Sequence, residues 1–479
     1  MEPTNLLRAR LKLAILALSV LLLGLTPYPR AFTESMRQAR DHRTVREYSQ
    51  ASEAYMRAAR HDPRSPLPWM EMGEMFLEQH RYLRAAIAFR EAERLGSGDA
   101  AVLGLGESYA GQGDWAVAMQ TWLGAGALNA DRTSRDAAAD EAVAAAILIA
   151  LGRGSIAQDQ LDQAAGFLTA ALQRQPCPGD AATAHRLLGR LLIEDDPDEA
   201  AGHLTQAGDG DMLAVLRAAS AEPDAINRAL LLGAAFLQRD DLPLARHHFQ
   251  RAVDLAPANA EAHAYLAHVL DRRGETIAAK ELLEQALALD PDSALVNYFL
   301  GSHHRLVGNA GRAQDALWTA LQRDPENAAL RVEMAEAYLD LHDYAQAEAW
   351  YLAAVDVVPE DVNFHLLLVN FYLSTLYRIE EGGIPAAEAL VALAPEDARA
   401  YDLLGWAYHL AGNQIEAHEA LAHALALDPG LVSAQYHLGS LYVTTGRDAL
   451  ARQHLQRVVD LDTGGYFRRR AEALLLELE

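Results

Sequence analysis

Six prolines set the frame of this chain. Pro257, Pro291, Pro325, Pro359, Pro395 and Pro429 follow one another at intervals of 34, 34, 34, 36 and 34 residues. A spacing held that closely marks a structural unit repeated in tandem, and it governs the fold before any single motif does. Proline has no N–H for the helical ladder and clashes with the preceding turn. Each of these residues therefore ends one helix and opens the next unit.

The rest of the unit is legible from Ala398 onward. Leu404 and Gly405 stand at positions 7 and 8, Tyr408 at 11, Gly412 at 15, Ala417 at 20, Leu421 at 24, Ala424 at 27 and Pro429 at 32. From Ala294 the same places hold Leu300, Gly301, His304, Gly308, Ala313, Leu317, Ala320 and Pro325. Units from Ile226, Ala260 and Ala328 keep the frame with Leu232, Leu266 and Met334 at position 7. Positions 7 and 11 share one face of a first helix. Glycine or alanine at 8, with alanine at 20 and 27, lets two helix axes approach closely, and the bulky residue at 24 fills the space between them. One pair cannot bury both of its faces, so neighbours must stack. The expected fold is all-α, an α-solenoid of antiparallel helix pairs.

This frame resembles the tetratricopeptide repeat. The resemblance continues upstream, in a unit from Pro66 (Trp69, Met72, Gly73, Phe76, Ala85, Phe89, Ala92) and one from Asp99 (Leu105, Gly106, Tyr109, Gly113, Ala118, Trp122, Ala125). The stretch from Phe32 to Ser65 keeps only the second half of a unit. Thr133 to Pro178 reads as a lengthened unit, Ala182 to Gly210 as a shortened one, and Asp211 to Ala221 as an extra helix before a joint at Pro223. In Val362 to Asp397 the run Glu380-Glu381-Gly382-Gly383 interrupts the frame, with Gly383 where the first repeat alanine belongs, which puts that unit's second helix in question. Tyr466 to Glu479 reads as a polar capping helix. The expected organisation is residues 1–30 as basic tail and anchor, 31–222 as a divergent repeat block, 223–465 as a regular block and 466–479 as the cap.

Arg8, Arg10 and Lys12 precede an apolar run from Leu11 to Leu25, the pattern of a signal sequence or signal anchor. Tyr28 extends it to an interfacial aromatic, and no small-x-small cleavage pair follows. An uncleaved single-pass membrane anchor is the favoured reading, and a removed leader releasing a secreted soluble adaptor is the alternative. Arg30, Arg37, Arg40 and Arg43 on the far side balance the basic tail, so the charge rule gives a tie. An arginine-bearing tail is awkward to translocate, which favours repeats outside the cytoplasm.

The chain carries 41 basic and 66 acidic residues, net −25, which argues against a nucleic-acid binder. Past Arg30 the balance is −28, a field that would attract basic segments of a partner. Cys177 is alone, which excludes an intramolecular disulfide or a cysteine-based metal site. Only Lys12 and Lys280 are lysines, so lysine chemistry is nearly excluded. The adjacent pairs His247-His248 and His303-His304 diverge by about 100° on a helix and suit no shared metal. Glu194-Asp195-Asp196 and Glu380-Glu381 read as solvated carboxylates at turns. Phosphate-binding and hydrolase motifs are missing. No catalytic residue, metal or cofactor is expected, and the chain is not expected to be an enzyme. A non-catalytic accessory subunit of a cell-surface polymer enzyme is the other role considered.

The resemblance implies that positions 2, 5, 9 and 12 of each first helix line a concave groove for peptides or partner proteins. Carried over by register, these include Asn227, His268, Tyr298, Arg305, Asn363, Asn370, Arg399, Trp406, His409 and Tyr436. Trp406, Arg399 and Tyr436 form the strongest combination, because such residues dominate interface hot spots. The family's clamp for acidic chaperone tails needs lysine and asparagine at positions 5 and 9; only Asn370 fits, opposite Leu366, so that ligand is not expected. The implied function is a membrane-tethered scaffold in assembly or recruitment of a membrane or envelope complex.

Overall fold

The computed structural model describes residues 30–125, 137–174, 176–462 and 465–478. Among them the chain forms 26 α-helices and no strand, a helical solenoid. The apolar run Leu11–Leu25 lies outside the described residues. No helix among those described is long and apolar enough to cross a membrane. The chain falls into two compact units that divide between Asp114 and Trp115.

The first unit holds α1 (Arg30–Thr44), α2 (Tyr48–His61), α3 (Leu67–Glu78), α4 (Tyr82–Arg94) and α5 (Asp99–Gly111). The stretch from Phe32 to Ser65 is thus a complete helix pair rather than half of one. Its first helix buries Phe32, Met36 and Ala39 at i, i+4 and i+7. That stripe does the packing without the usual leucine–glycine signature, which is why the frame missed it.

The second unit begins with α6 (Trp115–Leu123), the long α7 (Ala137–Ala157), α8 (Leu161–Leu172), α9 (Pro178–Leu191), α10 (Pro197–Ala207) and α11 (Gly210–Ala221). Regular pairs follow: α12 (Ala225–Leu237) with α13 (Leu242–Leu255), α14 (Ala260–Arg272) with α15 (Thr276–Leu289), α16 (Ala294–Leu306) with α17 (Ala310–Arg323), and α18 (Ala328–Asp340) with α19 (Tyr344–Val357). Then come α20 (Val362–Thr375) with α21 (Ile384–Leu393), α22 (Ala398–Leu410) with α23 (Gln414–Leu427), α24 (Val432–Thr444) with α25 (Asp448–Leu461), and α26 (Tyr466–Glu477). The apolar interior is a chain of local clusters. One of them runs from Ile193 through Leu232 to Phe299, across Pro223.

The close approach inside each pair rests on position 8. A Cβ placed on Gly301 or Gly405 would lie 2.6 Å from Cγ of Leu317 or Leu421, the residue at position 24; on Gly233 it would lie 2.6 Å from the Phe249 ring. The second helix therefore occupies the volume of a missing methyl. Two residues after most of the frame prolines stands an acceptor that caps the next first helix. Asn259, Ser293, Asn327, Asp361 and Asp397 each accept a backbone N–H from the first turn. Each cap contributes about 1 kcal/mol. Pro-x-Asp/Asn/Ser thus closes one helix and starts the next within three residues.

The interrupted unit keeps its second helix, against the sequence expectation. Leu376 and Arg378 take left-handed backbone, and Ile379–Gly383 forms a single π-helical turn leading into α21. Gly382 is required there, since a Cβ would lie 2.5 Å from the Tyr372 ring. The extra residues are absorbed as that turn, and α21 keeps ten residues with Ala387 and Leu390 buried. The 14-residue length of the neighbouring second helices is what it loses.

Candidate partner-binding groove

Arg399, Leu403, Trp406 and Leu410 recur along α22 at i, i+4, i+7 and i+11, a stripe about 100° around the helix from the buried Ala400, Leu404 and Ala407. This stripe leaves Leu403, Trp406 and Leu410 half-buried against the core and Arg399 exposed at its start. It joins Leu366 and Asn370 of α20, Tyr436 of α24, and Phe467 and Arg470 of α26 around a cavity of about 880 Å³. Leu339 and Glu336 of α18 border the other end.

Rings from successive first helices run along its floor. Trp406 stacks on His437, with centroids 4.2 Å apart and planes at 17°, and lies 6.5 Å from Tyr436. Tyr436 in turn lies 5.3 Å from Phe467. His437 is fixed from below: its Nδ1 lies 2.7 Å from Oδ1 of Asp402, and both side chains are buried. Trp406 is therefore held in one orientation by a ring that is itself bonded to a carboxylate. Such aromatic contacts are worth about 0.5–1.5 kcal/mol beyond their buried area.

The charges around the cavity are unequal in availability. Asp402 is engaged by His437. Glu336 accepts from Arg305 and from the Tyr351 hydroxyl. Arg399 grips Asp397 through Nε and Nη2, at 3.1 and 2.6 Å, on an exposed rim. The exposed Arg470 lies over the Tyr466 ring at 4.2 Å and donates to its hydroxyl, with no carboxylate partner among the described residues.

Four of the ten register-derived residues therefore meet at one place: Asn370, Arg399, Trp406 and Tyr436. The other six do not line that cavity. Asn227 is exposed on α12, and its backbone N–H donates to the capping carboxylate of Asp224. His268 stacks on Phe299 at 4.6 Å, and burial pushes its pKa down to about 4. Tyr298 is half-buried against Phe299, and burial raises its pKa. Arg305 donates to Glu333, Glu336 and Asp340 at 2.7, 3.0 and 3.0 Å, tying α16 to α18. Asn363 turns back on Asp361. His409 packs on Trp406 at 4.9 Å, and burial lowers its pKa.

Register reading missed Leu403, His437, Phe467 and Arg470. Leu403 and His437 sit at position 6, between the positions counted as groove. Phe467 and Arg470 were hidden by reading the last helix as a plain cap; their i, i+3 spacing on one face was the available signal.

The histidine pairs serve packing. His248 is buried against Phe236 and lies 3.1 Å from Glu194, and His303 lies 3.0 Å from Asp271. Glu194 corrects the sequence reading: its side chain is buried rather than solvated, bonded to His248 and Arg251, and these partners outweigh burial to lower its pKa. Glu380 and Glu381 are exposed, as expected. Among the described residues no group of three histidine, cysteine, aspartate or glutamate side chains could hold a metal ion.

Known proteins place this architecture. Family profiles described as tetratricopeptide repeat match residues 36–100, 236–302, 306–373, 398–431 and 415–466, together more than half of the chain. The chain is a tetratricopeptide-repeat protein, of the scaffold type that mediates protein interactions. Over 149 residues it is 27% identical to Superkiller protein 3 of Schizosaccharomyces pombe, a match spanning 31% of this chain and only 11% of that protein. Among solved structures it is similar to yeast Tom70, at 16% identity over 93% of this chain and 96% of that one, with a TM-score of 0.40. A tetratricopeptide repeat protein from Parabacteroides merdae matches at 17% identity over 53% of this chain and 98% of its own, with a TM-score of 0.40.

Proposed function

We propose that this scaffold captures its partner protein in the groove lined by α20, α22, α24 and α26. On this reading the segment Leu11–Leu25 tethers the repeats to a membrane, on the extracytoplasmic side, where they serve assembly or recruitment of a membrane or envelope complex. The observation that carries the binding role is the run of Trp406, Tyr436 and Phe467 along an open cavity with a polar rim. Aromatic residues held rigid at the centre of a concave surface are where binding energy concentrates. The tether rests on basic residues followed by an apolar run.

Affinity capture from native membranes with a C-terminal tag tests the groove. Trp406→Ala should reduce recovery of the bound protein at least about tenfold, a hot-spot loss, while helicity is unchanged. Undiminished recovery would remove the groove from the function. Protease added to intact cells tests the tether: cleavage of the tag from outside is expected. A protected tag would reverse the orientation, and a mature chain beginning near residue ~30 would replace the anchor by a removed leader.

A further inference from the structure

We propose that the groove selects an acidic–apolar peptide segment, one that sets a bulky apolar residue beside a carboxylate; this rests on the groove being the partner site. The apolar half of the requirement comes from Leu366, Leu403, Trp406, Tyr436 and Phe467, which surround the cavity from three first helices and the cap. The charged half comes from asking which lining charges a ligand can still reach. Both carboxylates are spent inside the protein: Asp402 is buried on His437, and Glu336 is held by Arg305 and Tyr351. The two arginines are not spent in the same way. Arg470 rests on the face of Tyr466 and keeps its charge without a carboxylate. Arg399 holds Asp397 in an exposed pair, which contributes little and exchanges readily for a better-placed partner.

The groove is thus a cationic rim around an apolar floor, on a chain whose net charge is −25. The long-range field would draw in basic segments, yet neither carboxylate lining the groove is free to pair with them. Selection at contact therefore opposes the bulk field, and an acidic segment would associate slowly but be held at short range. A guanidinium–carboxylate bond formed beside a desolvated apolar contact is of the stronger, charge-assisted kind.

The test is fluorescence anisotropy on the full chain with three labelled peptides of equal length. Each carries a central tryptophan and leucine, flanked by aspartates, by serines or by lysines. The aspartate peptide should bind about tenfold tighter than the serine peptide, and the lysine peptide more weakly than either. Arg470→Gln and Arg399→Gln should each weaken the aspartate peptide about fivefold and leave the serine peptide unchanged. Both side chains are exposed, so neither substitution disturbs the core. Asp397→Asn keeps an N-cap acceptor while releasing Arg399, and should tighten the aspartate peptide. Lysine-flanked binding equal to or tighter than aspartate-flanked, lost in Trp406→Ala, would overturn the selectivity and leave the groove standing. If no peptide binds in a Trp406-dependent way, the groove reading itself falls.

Discussion

The Phe89 ring in the first unit is gripped between two consecutive first helices, and this makes a single methyl measurable. A Cβ on Gly104 would lie 2.5 Å from Cε1 and Cζ of Phe89, and one on Gly73 would lie 2.8 Å from the same atoms. Carbon atoms settle at about 3.5–4.0 Å, so Gly104→Ala falls short of contact distance by roughly 1 Å. The ring cannot retreat, because the Gly73 backbone stands against it and the side chain is fully buried. Overpacking of this kind costs about 1–3 kcal/mol, and a rigid ring places it at the upper end. Alanine returns about 1 kcal/mol through helix propensity, leaving a net loss of about 2 kcal/mol. Hydrogen exchange is the right assay, since a stacked-repeat protein opens locally rather than all at once. Protection should fall first across α3, α4 and α5. Phe89→Leu, which installs the residue found at the matching places 317, 421 and 455, should relieve Gly104→Ala, giving a favourable coupling of at least about 0.5 kcal/mol. A Gly104→Ala chain as stable as the parent would refute the argument that the missing methyl at Gly104 sets the spacing between α4 and α5.

The same substitution in open space should act the other way: Gly166 lies mid-helix in α8 with nothing near its Cβ, and Gly166→Ala should stabilise by about 1 kcal/mol in urea denaturation. Arg305→Ala should cost about 3 kcal/mol at neutral pH, because three carboxylates then face one another unneutralised. Protonation relieves that repulsion, so the difference from the parent should shrink as the pH approaches 4; a loss independent of pH would refute it. The half-buried His268 has its pKa pushed down to about 4, against about 6.5 in the unfolded chain, so unfolding takes up a proton between those values. Stability should therefore fall as pH drops through that window, by up to on the order of 3 kcal/mol from this group. His268→Phe should flatten that slope in urea midpoints measured at neutral pH and near pH ~5.

The phase of the repeats was legible because proline and close-packing residues act locally. Pro257 through Pro429 stop helices wherever they occur, and Gly405 or Gly301 admits a neighbour by what it lacks. The completeness of the first pair was less legible, since Phe32, Met36 and Ala39 achieve the same burial with a different vocabulary. The second helix after Gly383 was also hidden, because a π-helical turn is a response to packing against Tyr372 that no residue code announces. At the site, register identified Trp406, Arg399, Asn370 and Tyr436, since a helical stripe follows from spacing. It could not show that Arg305 is consumed by Glu333, Glu336 and Asp340, nor that His437 anchors Trp406. Those facts depend on partners 28 to 35 residues away. Glu194 was misread for the same reason: its partner His248 is distant in sequence.

The final helix is a wall of the groove, and this bears on how such a chain can grow. Repeat proteins lengthen by duplicating units, and most junctions in a stack are interchangeable. Here a unit inserted between α25 and α26 would carry Phe467 and Arg470 away from Tyr436 and Trp406, and the cavity would open into a featureless trough. Copies inserted upstream of α16 would leave it whole, since Arg305 of that helix holds the lining Glu336. The stretch from Ala294 to Glu477 therefore has to stay together as one cassette for the groove to persist, free to change its number of neighbours but not its own length.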